Sequence, residues 1–284
     1  MRLATVARAN GETAAAVERD GLFRALPAPS VDALLREERD AIIGEERNAL
    51  VDVDRLLQPL LRPGKIICVG LNYRSHIIEM GRSLPEFPTL FVKYADTLIG
   101  PSADIVLPSI SDRVDWEGEL AVVVGRHLHR ADEETSAAAI AGYTVANDIS
   151  LRDWQNRTTQ WQQGKMFDAT TPLGPVLVTP DEFDPRDGAR IRTTVNGVLM
   201  QDASVSDLVF DSAHLLSYIS QITRLRPGDV VLTGTPGGVG AGRTPEAYLS
   251  NGDVVEVSID GIGHVRNRLI TTPIDTKEYG NGAR

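Results

Sequence analysis

Three carboxylates stand out by their spacing. Asp115, Trp116, Glu117, Gly118 and Glu119 run directly into the apolar stretch Leu120 to Val124. Side chains on a strand alternate between faces, so Glu117 and Glu119 point the same way, about 7 Å apart. Carboxylates that close repel unless a cation lies between them. Asp148 ends the apolar stretch Tyr143 to Ala146 and offers a third oxygen donor. Oxygen donors without Cys or paired His select a hard ion: Mg2+, Mn2+ or Ca2+. The same pattern suits a solvated acidic edge, because contact between the two segments is not written in the sequence.

His76 and Glu79 follow the apolar run Lys65 to Gly70 and lie three residues apart. On a helix they share a face. A carboxylate beside an imidazole fixes its tautomer and raises its basicity, as a general base requires. A surface helix with an ordinary ion pair has the same spacing. The other histidines read as structural or solvated, His214 and His264 for want of a nearby acidic partner. Arg152 and Gln155 come one helical turn after Asp148, and Lys165 follows. These two cations suit an anionic ligand, or they neutralise Asp153 and Asp168. The glycine-rich segment Thr233 to Gly240 lacks the Lys and Ser/Thr of a phosphate-binding loop. It reads as a tight turn offering backbone N–H groups, with Thr235 as a polar contact.

Positioning these groups requires a scaffold, and its elements are mostly strands. Leu3 to Ala7 and Thr13 to Val17 flank the turn Asn10-Gly11, a hairpin signal. Val31 to Leu50 reads as helix behind the N-cap Ser30. The turn Arg62-Pro63-Gly64 marks a boundary. Residues 1–62 are therefore expected as a small N-terminal domain, 63–272 as the main domain and 273–284 as a polar tail. Beyond the boundary, Lys65 to Gly70, Thr89 to Lys93, Leu120 to Val124, Tyr143 to Asn147, Pro175 to Val178, Val230 to Thr233 and Val254 to Ile259 read as strands. Asn196-Gly197 marks a second hairpin. Helical patterns cover Tyr73 to Met80, Glu133 to Ala141 and Val209 to Gln221. The balance predicts a β-rich α+β fold.

The 284 residues include 39 acidic against 29 basic side chains, a net charge of -10. Such a chain repels phosphate backbones and anionic bilayers, so neither nucleic acid nor membrane is expected as a partner. The single cysteine, Cys68, excludes an internal disulfide and a Cys-based zinc site. No apolar run approaches the roughly 18 residues of a membrane span. Asn10, Gly11 and Glu12 interrupt the N-terminus too early for a signal peptide, and a cytoplasmic address is expected.

Taken in order, Val69 to Met80, Pro88 to Lys93, Asp115 to Leu120, Gly142 to Asp153, Gly164-Lys165 and Gly228 to Pro236 resemble the fumarylacetoacetate hydrolase family. The resemblance implies mixed β-sheets rolled around a central site, a small N-terminal α/β domain and a homodimer. It implies Mg2+ or Mn2+ on Glu117, Glu119 and Asp148. It further implies a His76–Glu79 dyad on a mobile lid that activates water, and a catalytic Lys165. Arg152, Gln155 and Thr235 would face a small anionic oxo-acid substrate. Animal-type members carry a fourth metal carboxylate shortly before the histidine. Cys68 to Asn72 contains none, which places the chain in the three-carboxylate branch.

The reaction this implies is hydrolysis of a C–C bond in a 2,4-dioxo acid of acylpyruvate, fumarylpyruvate or diketo-deoxy sugar acid type. A cation would hold the enolate that forms. An oxaloacetate-type decarboxylase and a 2-hydroxyhepta-2,4-diene-1,7-dioate isomerase suit the same site. A catalytically silent oxo-acid binding protein would keep the fold. The His76–Glu79 pair favours hydrolysis, because only hydrolysis and hydration need an activated water.

Overall fold

The computed structural model describes residues 1–37, 50–51, 53–79 and 81–273, with the backbone alone at Glu79 and Pro108. The expected helix Val31 to Leu50 is seen as Val31–Arg36, where the Ser30 side chain accepts from the Ala33 N–H. Residues 38–49 lie outside the described part, as does the expected tail beyond Pro273.

Runs of Val, Ile, Leu and Ala build an 11-stranded sheet. From its middle to one edge its strands run Thr171–Val178, Ile140–Asn147, Gly118–Val124, Val230–Leu232, Ile66–Gly70 and Thr89–Lys93, in that spatial order. Most neighbours are antiparallel, but Val230–Leu232 pairs with Ile66–Gly70 in parallel, so the sheet is mixed. The N-terminal strand Arg2–Ala7 pairs with Thr171–Val178 and continues the same sheet. A second, five-stranded sheet runs Val198–Ser204, Arg190–Val195, Val254–Ile259, Gly263–Thr272, Ile105–Pro108.

Strand alternation divides the core into layers. Leu120, Val122 and Val124 face Val257, Val265 and the helix Ser212–Ile222 through Leu215, Leu216 and Ile219. Ala121 and Val123 face the other way, toward Leu3, Leu34 and Leu177. Burying each such aliphatic side chain stabilises by about 1.5–3 kcal/mol. Glu119 has the parity of Ala121 and Val123, so the pleat carries it into this second layer. Among the described residues, no helix is long and apolar enough to cross a membrane.

The expected helix Glu133 to Ala141 stops at Ala138, and Ile140 already belongs to a strand buried on both faces. The strand Gly263–Thr272 is absent from the sequence reading. Its exposed face is polar (His264, Arg266, Arg268), which hides the apolar alternation of Val265 and Leu269.

Candidate metal centre

Strand pairing brings the three carboxylates together. Gly118–Val124 and Ile140–Asn147 are antiparallel, with Gly118 opposite Asn147 and Glu119 opposite Ala146. The register is extended by two further bonds: the Glu117 N–H donates to Asn147 Oδ1 (3.0 Å), and the Asp148 N–H donates to the Glu117 carbonyl (2.8 Å). Glu117, Glu119 and Asp148 are all buried, with ligand oxygens within 4.8 Å of one another. That is tighter than an ideal strand spacing and excludes the solvated-edge reading. Among the described residues no other group of three such donors is as close.

Cations surround the triad. Lys93 ends the strand Thr89–Lys93 and donates to Asp148 Oδ1 at 2.6 Å. Lys165 follows a single 3-10 turn, Trp161–Gly164, and bridges Glu117 Oε2 (2.7 Å) and Asp148 Oδ2 (2.8 Å). That turn packs closely because residue 164 is glycine: a Cβ there would lie 2.5 Å from the Leu151 carbonyl oxygen. Arg152 opens a one-turn helix, Arg152–Gln155. Its Nε reaches Asp115 Oδ2 and its Nη1 reaches Glu117 Oε1, both at 2.7 Å, and Nη1 also donates to Gln155 Oε1 at 2.8 Å. Neither Arg152 nor Lys165 is spent on Asp153 or Asp168, the alternative the sequence left open.

The glycine-rich segment contributes backbone amides, as its composition suggested, but to carboxylates of the protein itself. The Gly234 N–H donates to Glu119 Oε2 at 2.7 Å. Those of Gly240 (2.6 Å) and Ala241 (3.0 Å) donate to Asp115. Asp115 also accepts from Trp116 N and Arg152, which fills its acceptor sites and leaves it a holder of Arg152 rather than a cation ligand. The Thr235 hydroxyl donates to the Gly118 carbonyl at 2.9 Å and accepts from Gln201 Nε2 at 2.8 Å.

These charges perturb each other. Burial, and then the charges of Asp148 and Glu117, push the Glu119 carboxyl well above the usual range. Burial works the same way on Asp148, but Lys165 and Lys93 outweigh it and hold that carboxyl low. Burial would lower Lys165, yet Asp148 and Glu117 raise it, so it stays an ammonium. Burial, then Asp148, raises the nearby Cys68 thiol well above its ordinary value, which keeps it un-ionised and inert. The set fits a hard divalent cation: three desolvated oxygens, one of them unable to ionise comfortably without more positive charge.

Of the triad, Glu117 opens onto a cleft of about 610 Å3, lined also by Lys165, Arg152, Gln155, Thr235 and His76 among others. His76 lies on the helix Arg74–Glu79, immediately after the strand that ends at Gly70. The Glu79 side chain lies outside the described part of the structure. A slightly larger cleft, about 650 Å3, opens beside Tyr143 and Phe183. Its acids are spent on the protein itself, Glu133 with His214 (2.8 Å), Asp184 with Arg186 (2.5 Å) and Asp211 accepting from the His214 N–H (2.9 Å), so size does not make it the reaction site. The His214 pair corrects the sequence reading: its acid is 81 residues away in the chain.

Two residues at the centre carry no role in the sequence reading, Lys93 and Asp115. Both stand inside the quoted motifs. Their partners are 55 and 37 positions away, and only the sheet brings them into contact.

Residues 65–270 match the family model for the fumarylacetoacetate (FAA) hydrolase C-terminal domain. The chain is 44% identical over 217 residues to the mitochondrial oxaloacetate tautomerase fahd2 of Xenopus laevis, covering 76% of this chain and 68% of that protein. It is 42% identical over 214 residues to 2,4-didehydro-3-deoxy-L-rhamnonate hydrolase of Sphingomonas sp. (strain SKA58), covering 74% and 75%. The crystal structure of 5-carboxymethyl-2-hydroxymuconate delta-isomerase from Mycobacterium smegmatis superposes with a TM-score of 0.80 at 36% identity, over 96% of this chain and 99% of that one. Sheet, buried acidic triad and matched residues agree: this chain belongs to the fumarylacetoacetate hydrolase family of enzymes.

Proposed function

We propose that this protein is a divalent-metal-dependent hydrolase of a C–C bond in 2,4-dioxo acids, working as a homodimer with Mg2+ or Mn2+. The observation that carries the reading is a buried carboxylate triad, one member of which, Glu117, lines a cleft that also receives His76. Glu117, Glu119 and Asp148 would hold the ion. When bound, it supplies Lewis-acid stabilisation of negative charge on a 2-oxo acid.

The chain's own residues do the rest. His76 takes a proton from water, with Glu79 three residues along the same helix orienting the ring. The water oxygen attacks the distal carbonyl carbon of the dioxo acid, and the bond to the carbon between the two carbonyls breaks. The electron pair moves toward the 2-oxo group, and the released carbon then takes up the proton that His76 removed from water, giving a 2-oxo acid and a carboxylic acid; Lys165, in the same lining, would offset the charge that grows. Arg152 is fixed by Asp115, and Gln155 and Thr235 complete the wall the substrate meets.

A second reading is tautomerisation of oxaloacetate, which draws on the name of the Xenopus laevis relative, and oxaloacetate decarboxylation suits the same site. It needs the same triad but no attacking water. The test supplies acetylpyruvate and oxaloacetate separately, with Mg2+, to wild type and His76→Ala. Hydrolysis that falls by about 10^2- to 10^4-fold in the variant supports a water-activating His76. Unchanged hydrolysis removes that role, and turnover of oxaloacetate alone favours the second reading.

A further inference from the structure

We propose that Asp207 is a positioning residue for His76, gripping from a neighbouring segment the helix that carries it. This rests on the reading above of His76 as the group that activates water.

The helix Arg74–Glu79 has six residues, well below the roughly 12–15 at which an isolated helix begins to hold in water. Its place therefore depends on what grips it from outside. Its first internal bond runs from the Ile77 N–H to the Tyr73 carbonyl at 3.0 Å, which puts Tyr73 at the N-cap. That position usually carries Ser, Thr, Asp or Asn, whose oxygen accepts from the N–H groups of the first turn. The Tyr73 ring is buried in the core and cannot bend back to them. Asp207 does this instead. Its Oδ2 accepts from the Ser75 N–H at 3.0 Å and from the Ser75 hydroxyl, and Ser75 immediately precedes His76. A carboxylate at this end also meets the positive pole of the helix dipole.

The segment after Asp207 is tied to the chain that enters the helix. Asp207 ends the 3-10 turn Val205–Asp207. Leu208 bridges Tyr73, and the Val209 N–H donates to the Asn72 carbonyl at 2.8 Å. The buried Asn72 amide donates to the carbonyls of Phe210 (3.0 Å) and Thr233 (2.9 Å), and its Oδ1 accepts from the Phe210 N–H (2.9 Å). Thr233 adjoins Gly234, whose N–H holds Glu119. Asn72 thus references the start of the helix to the triad. A helix pinned only at its start can pivot. Burial of Ile77 beneath it is a non-directional restraint. The Asp207 bonds are directional, and they fix the first turn from which His76 reaches the lining of the cleft. Asp207 is half-buried and Ser75 exposed, so this cap can be altered without opening the core.

The test combines kinetics with hydrogen exchange. Asp207→Ala removes the acceptor, and Asp207→Asn keeps an oxygen in its place. With acetylpyruvate and Mg2+, Asp207→Ala should lower kcat on the order of 10–100-fold, with KM within about threefold of wild type. Asp207→Asn should recover kcat to within about fivefold. In a His76→Ala background Asp207→Ala should cost no more than about twofold, because the two residues act as one unit. Hydrogen exchange across residues 74–79, read by mass spectrometry, should quicken in Asp207→Ala and stay near wild type in Asp207→Asn. A wild-type kcat in Asp207→Ala overturns the proposal, as do an equal loss with and without His76, no recovery in Asp207→Asn, or unchanged exchange. Wild-type protein that leaves acetylpyruvate intact refutes the hydrolase reading instead, and exchange alone then decides whether Asp207 holds the helix.

Discussion

Lys93 donates to Asp148 across 2.6 Å, and neither side chain is exposed to solvent. The pair anchors one member of the triad from the far edge of the large sheet. Removing one partner of a buried ion pair leaves an uncompensated charge, at a cost of about 3–5 kcal/mol. Asp148 keeps Lys165, so Lys93→Met should fall near 3 kcal/mol in denaturant unfolding of the metal-free protein. The same loss of positive charge should tighten Mg2+ binding in a calorimetric titration. A variant as stable as wild type would contradict the pairing.

The pH dependence of stability should carry the signature of Glu119. Its carboxyl is raised in the folded, metal-free protein by burial and by Asp148 and Glu117. The folded state therefore keeps a proton that the unfolded chain has released. That contribution is complete below the ordinary carboxyl pKa and is lost as pH rises toward the folded value. Asp148 acts oppositely: its lowered pKa contributes above the ordinary range and is lost as pH falls. Melting temperatures of metal-free protein between about pH 5 and pH 8 should decline with pH. Glu119→Gln should flatten that slope, and saturating Mg2+ should flatten it in wild type. A rising slope in metal-free wild type would reverse the assignment.

Arg152 bridges Asp115 and Glu117 through two different nitrogens. A lysine has one ammonium and cannot reproduce the fork. Arg152→Lys should lose one charge-assisted hydrogen bond worth about 1.5–3 kcal/mol. Because Arg152 lines the cleft, kcat/KM should fall on the order of 10–100-fold. Steady-state kinetics with folding checked by circular dichroism measures this directly.

Gly240 tolerates no side chain. A Cβ would lie 1.8 Å from the Ala247 carbonyl oxygen and 2.8 Å from Asp115 Oδ1. Gly240→Ala should cost about 3 kcal/mol or more, since the nearest clash is with backbone. Gly11→Ala, at φ +83° in open space, should cost only about 1–2 kcal/mol. Equal midpoints for the two variants in a urea titration would refute the steric argument.

Much of this fold was legible because strand signals are local. Thr89–Lys93 and Val254–Ile259 match their apolar runs residue for residue. Asn196 and Gly197 sit at φ 50° and 79°, as their hairpin requires. Helix ends were less legible. Ile140 to Asn147 is buried on both faces, so it lacks the alternation that separates strand from helix. The triad itself was visible as an alternating Glu pair and a strand-end Asp. Its environment was not, because the bonds from Lys93 to Asp148 and from Gly240 to Asp115 span 55 and 125 positions. Residue type told which groups could bind a cation, and only topology told which groups hold them.

The loop from Gly234 to Ala241 grips Glu119 and Asp115 through three peptide N–H groups. Loop amides ordinarily exchange with solvent hydrogen quickly, whereas those bonded to buried acceptors exchange only on opening. These three should therefore behave as slow protons embedded in an irregular segment. Their exchange rates would report continuously on whether the carboxylates beneath them remain in place, without any substrate or assay of turnover.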